Sequence, residues 1–78
     1  MRIHYTLHAL ERMHQRGIDR ILVEKCLENP DKDSLLGDTR KCIKKIDDRV
    51  LVVIYRKVND TTLVITAFIS SKIHKYLA

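Results

Sequence analysis

An α+β fold, two N-terminal helices packed on a twisted antiparallel sheet of three to five strands, follows from three features of the sequence. Helix signals are confined to residues 7–28, strand signals dominate residues 40–71, and the segment between them carries turn residues. At 78 residues the chain has room for one layer of helix on one sheet, so residues 1–78 are read as a single domain. The expected order is β-α-α-β-β-β, with room for one more strand.

Thr6 is placed to cap a helix over residues 7–16, and Gly17 supplies the left-handed residue that ends it. At 100° per residue Leu7, Ala9, Leu10 and Met13 fall on one side, opposite His8, Glu11, Arg12, Gln15 and Arg16. Asp19 caps a second helix over residues 20–28, with Leu22, Val23, Cys26 and Leu27 as its apolar stripe, and Asn29-Pro30 stops it. Residues 31–38 read as an internal linker with a short strand at Leu35-Leu36.

Residues 40–46, 49–57 and 61–71 are rich in Val, Ile, Thr, Tyr and Phe, separated by Asp47-Asp48 and Asn59-Asp60, and predict a three-stranded antiparallel meander. The run Val50-Leu51-Val52-Val53-Ile54-Tyr55 does not alternate, so both of its faces need cover. One face meets the helices. The other requires the C-terminal tail, neighbours of the first strand or a second subunit, and a homodimer or tight complex is expected.

The formal charge of +5 is unevenly placed: residues 40–78 hold nine Lys/Arg and three Asp, a net of +6, and residues 1–39 a net of −1. That asymmetry points to an anionic partner such as RNA. Cys26 and Cys42 form no Cys-x-x-Cys pair and read as reduced thiols, Cys26 in the core and Cys42 on either face. With no signal-like or membrane-spanning apolar run, the expected location is the cytoplasm, away from membranes. The histidines His4, His8 and His14 lack a completing ligand set, and the only glycines, Gly17 and Gly37, make no phosphate loop. No metal or cofactor is expected.

The segment His8-Ala9-Leu10-Glu11-Arg12-Met13-His14-Gln15-Arg16-Gly17-Ile18, with the later runs Val50 to Tyr55 and Leu63 to Phe68, resembles a widespread prokaryotic family catalogued as a domain of unknown function. In topology, size and charge that family is similar to the RelE and BrnT toxins, small ribonucleases of toxin–antitoxin pairs. The resemblance implies metal-independent RNA cleavage, with RNA or the ribosome and an antitoxin protein as partners; the alternative is a non-catalytic RNA-binding or dimerising module.

Cleavage of this kind needs a base for the 2′-hydroxyl, an acid for the 5′-oxygen and cations around the phosphorane. His8 and Arg12 on the first helix, with His74 and Tyr76 near the C-terminus, are the candidate catalytic groups. Arg16, Arg40, Lys44, Arg56, Lys72 and Lys75 are assigned to phosphate. His8, Arg12 and Arg16 recur at intervals of four and line one stripe. The structural alternative gives Arg12 to backbone carbonyls or to Glu11 and Glu24, and leaves the basic tail as a solvated end. Tyr55 and Phe68 are read as core rather than as a stacking platform.

Overall fold

Side-chain caps define the first third of the chain. The Thr6 hydroxyl accepts from the Ala9 amide at 3.0 Å and starts α1 (Leu7–Arg16); Gly17, at φ 64°, ends it. Asp19 accepts from the Ile21 amide at 2.8 Å and starts α2 (Arg20–Glu28). The remaining elements of the computed structural model, which describes residues 2–78, are β1 (Arg2–Tyr5), β2 (Lys32–Leu36), β3 (Thr39–Ile46), β4 (Arg49–Val58), β5 (Thr61–Ser70) and α3 (Ile73–Leu77).

The five strands make one sheet in the order β1-β5-β4-β3-β2. Strands β2 to β5 form an antiparallel meander through two-residue turns at Gly37-Asp38, Asp47-Asp48 and Asn59-Asp60. The first residue of each turn, Gly37, Asp47 or Asn59, has positive φ, a conformation that Gly, Asn and Asp tolerate best. The sheet departs from expectation in being mixed, because β1 pairs parallel with β5: the two helices carry the chain from β1 to β2 at the far edge, and since no hairpin links β1 to β5 nothing forces that pair antiparallel. The presumed linker is a full edge strand, β2, in register with β3 from Lys32↔Ile43 to Leu36↔Thr39, and so the meander has four strands. The C-terminal segment, read as a tail, forms α3.

Two cores sit on the two faces of this sheet. On the first, Ala9 and Met13 of α1 and Val23 and Cys26 of α2 pack against Cys42, Leu51, Val53, Val64 and Ala67. On the second, Ile73, Tyr76 and Leu77 of α3 pack against Ile43, Val50 and Val52, which are fully buried. The non-alternating run of β4 is thus covered on both sides, by helices on one and by the chain's own C-terminal end on the other. Leu7, placed on the apolar side of α1 by periodicity, is instead 72% exposed. It occupies the first turn, ahead of Ala9 and Met13, the α1 residues buried against the sheet.

Helix α1 is tied to β5 at both ends. Thr6 donates its hydroxyl hydrogen to the Ile65 carbonyl at 3.1 Å, and Arg16 Nη1 donates to the Ala67 carbonyl at 3.0 Å. Ile65 is the extra residue of a β-bulge, since Tyr55 faces Val64 while Ile54 faces Thr66. Thr6→Val removes both the cap and this donor and is expected to destabilise by about 1–2 kcal/mol, with Thr6→Ser close to wild type. Urea unfolding of the two variants measures the difference, and equal stability of all three proteins would refute the dual role.

Candidate nucleic-acid interface

Strand alternation sorts the charges of this chain by face. In β4 the parity of Val50 and Val52 extends to Ile54, Arg56 and Val58; across the ladder these meet Lys41 on β3, Leu63 and Thr61 on β5, then His4 and Arg2 on β1. Lys45 of β3 and Lys32 of β2 share that face. Among the described residues, none of the strand positions on this face and none of the positions of α3 is Asp or Glu. The acidic side chains of α1 and α2, with Asp33 of β2, lie on the other side.

Helix α3 covers only part of this face, and Tyr76 stands at the margin of the uncovered part. Lys41 Nζ lies 5.5 Å and Lys75 Nζ 5.3 Å from the centre of the Tyr76 ring, and Phe68 meets the same ring edge-on at 6.0 Å. Two ammonium groups over the ring of one half-buried phenol hold positive charge on an aromatic surface, an arrangement in which an entering base would take a lysine's place on the ring and turn that lysine to phosphate. At the far end a hollow is lined by Arg2, His4, Val58, Thr61 and Leu63, with Asn59 and the Asp60 carboxylate of the β4–β5 turn at its rim. Arg56 lies between the two ends, its nearest carboxylate being that of the 85% exposed Asp38 at 3.8 Å, a weak pairing in water.

The structure divides the sequence-predicted site. His74, Tyr76, Lys75, Lys72 and Arg56 lie on or beside the second face, whereas His8 and Arg12 project from α1 on the opposite side of the sheet. A catalytic group drawn from both sets is therefore not assembled. His8 is exposed, and Arg12 reaches only Gln15, at 3.4 Å. The carbonyl bond considered for Arg12 is made by Arg16. Lys44, assigned to phosphate, donates to the Asn29 carbonyl at 3.0 Å and so closes the C-terminal end of α2 on the first face. Tyr55 and Phe68 are on opposite faces and make no common platform. Sequence reading missed Lys41, Arg2 and His4; parity with the apolar positions of β4 is the signal that finds them once register is known.

Arg40 belongs to a separate network. Tyr55 donates to Asp33 Oδ2 at 2.8 Å, and Arg40 Nε stands 3.5 Å from Asp33 Oδ1. Burial first, and then the bond to Asp33, push the Tyr55 phenol up to about 12. Tyr5, 3.3 Å from Glu24 and beneath the Arg20 guanidinium, is pushed up to about 12 by burial and by that carboxylate.

Comparison with known proteins matches a family model, the domain of unknown function DUF4258, over residues 5–69. The chain belongs to the DUF4258 family. The matched span of this DUF4258 chain runs from the last residue of β1 to the penultimate residue of β5 and stops before α3, which carries His74, Lys75 and Tyr76. Searches of curated proteins and of solved structures gave no significant match. No described helix is long and apolar enough to cross a membrane.

The two tyrosines make the DUF4258 fold sensitive to alkali. A phenol protonated to about pH 12 in the native state but only to about 10 when unfolded stabilises fully below 10 and loses that contribution as pH rises towards 12. Tyr55→Phe is expected to flatten the loss of stability between about pH 9 and about pH 11, with the Tyr5 share retained. Urea unfolding at the two pH values checks this; an unchanged slope would assign the alkaline loss to other groups.

Proposed function

We propose that this chain binds single-stranded RNA across the uncovered part of its second sheet face, with Arg2, Lys41, Arg56 and Lys75 against phosphates and Tyr76 against a base. The observation that carries this reading is the segregation of charge by face: the strand and α3 positions of this surface bear these cations and, among the described residues, no carboxylate, the nearby Asp38 and Asp60 belonging to turns at its rim. Such a surface attracts a polyanion and releases its counterions, and a half-buried aromatic at its edge adds sequence-tolerant stacking. Four phosphates held on a single strand imply a log–log salt slope of roughly −3. Affinity for a labelled RNA oligonucleotide should then fall about fifty-fold between about 50 and 200 mM salt, as fluorescence anisotropy would record. Arg12→Ala, on the other side of the sheet, should leave affinity within about twofold. Undetectable binding at low salt, or a salt-independent affinity, would defeat the proposal.

A second, catalytic reading draws on the resemblance to RelE-like toxins and on one further observation, that the exposed imidazole of His74 lies in the same short helix as Tyr76, beside two lysines. On this reading His74 and Tyr76 move protons and an antitoxin protein encoded nearby restrains the activity. His74→Ala should then lower RNA cleavage by about 10² with binding retained, because a proton carrier acts mainly in the transition state. A wild-type protein that cleaves no RNA, free or on translating ribosomes, leaves the binding function alone.

A further inference from the structure

Helix α2 and strand β3 meet at two sulfur atoms. Cys26 and Cys42 are both fully buried, their Sγ atoms are 2.9 Å apart, and the Cys42 thiol also donates to the Cys26 carbonyl at 3.0 Å. They lie 16 positions apart in the chain and are brought together only because Asn29-Pro30 turns the end of α2 back over β3. Bonds on either side hold that junction: the Asp31 amide donates to the Ile43 carbonyl at 2.8 Å, the Lys45 amide donates to Asp31 Oδ2 at 2.7 Å, and Lys44 closes the end of α2. Bridging the two sulfurs requires them to approach by about 0.9 Å, a shift within reach of side-chain rotation.

We propose that Cys26 and Cys42 are an oxidisable dithiol that closes to an intramolecular disulfide, a reversible staple between α2 and β3. The oxidant is a low-molecular-weight disulfide. One cysteine loses its proton and attacks a sulfur of that disulfide, releasing one small thiol and leaving a mixed disulfide; the second cysteine then loses its proton and displaces the other small thiol. Two electrons pass from the protein to the reagent, one S–S bond forms in the protein and one is broken in the oxidant. Neither thiol is accessible in the closed fold, so the first attack waits for a transient opening of the end of α2. The hydrogen bond to Cys42, and then burial, raise the Cys26 thiol well above its ordinary range, so the closed state is itself inert and the opening sets the rate.

Reduced protein is incubated with oxidised glutathione in dilute urea, which speeds local opening, and then denatured and alkylated for intact mass. The expected product has lost two hydrogens, carries no alkyl group and no glutathione, and is monomeric. Its melting temperature should exceed that of the reduced form by about 10 °C or more, since a loop of this length is cross-linked, and dithiothreitol should reverse the rise. Two alkylated thiols, or glutathione retained on either cysteine, would overturn the proposal. A disulfide that lowers the melting temperature would overturn the staple. Cys26→Ser and Cys42→Ser, each checked for native circular dichroism, should accept glutathione once the fold opens but never lose two hydrogens; a variant that does so shows that the wild-type mass change came from elsewhere.

Discussion

Replacing Lys41 and Lys75 together with glutamate is expected to lower RNA affinity by two to three orders of magnitude. Each substitution deletes a cation that the proposed RNA path sets against phosphate and places a carboxylate on that path, and like-charge juxtaposition costs several kcal/mol where water is partly excluded. Both side chains border Tyr76 on a partly exposed surface, and among the described residues neither takes part in an ion pair or in a side-chain hydrogen bond. The variant should therefore fold. Its salt slope should become shallower by about 1.4, roughly 0.7 for each phosphate of a single strand no longer held. The decisive comparison is with a double substitution of equal charge change on the first face, Arg12→Glu with Lys25→Glu. If long-range net charge alone drives binding, the two double variants lose affinity equally, and the assignment to the second face fails.

Leu51→Ala is expected to destabilise the fold by about 3 kcal/mol, a large fraction of the roughly 5–15 kcal/mol available to a small domain. Leu51 is fully buried on β4, the middle strand of the sheet, within the core that joins both N-terminal helices to the sheet. Its removal leaves a cavity that a sheet pinned on both faces cannot close. The melting temperature should fall by roughly 12–24 °C. Leu35→Ala on the edge strand β2, where the side chain is 71% exposed, should change stability by less than about 0.5 kcal/mol. Comparable destabilisation by the two substitutions would mean that the β2 edge is covered in solution.

What could be read without coordinates was local. The bounds of α1 and α2, the caps at Thr6, Gly17 and Asp19, and the turns at Asp47-Asp48 and Asn59-Asp60 each depend on residues within a few positions of one another, and the structure has all of them. Short-range sterics and capping bonds are written into neighbouring residue types, so periodicity and turn chemistry recover them. The demand for cover on both sides of β4 was legible for the same reason, as a run of apolar residues without alternation. What supplied the second cover was not.

The arrangement of charge depended on pairings far apart in sequence. Counting Lys and Arg by chain half finds a basic C-terminal portion, yet Lys44 and Arg40 of that portion serve the first face while Arg2 and His4, from the other end of the chain, join the second. A strand residue's face is set by register, and a shift of one position moves every side chain through the sheet. The parallel pairing of β1 with β5, the docking of α3 and the meeting of Cys26 with Cys42 are likewise long-range. No window of sequence contains both partners of any of them. Residue types and local geometry were therefore set by the chain itself, whereas which cations share a surface, and which thiols lie side by side, was decided only when the strands found their register.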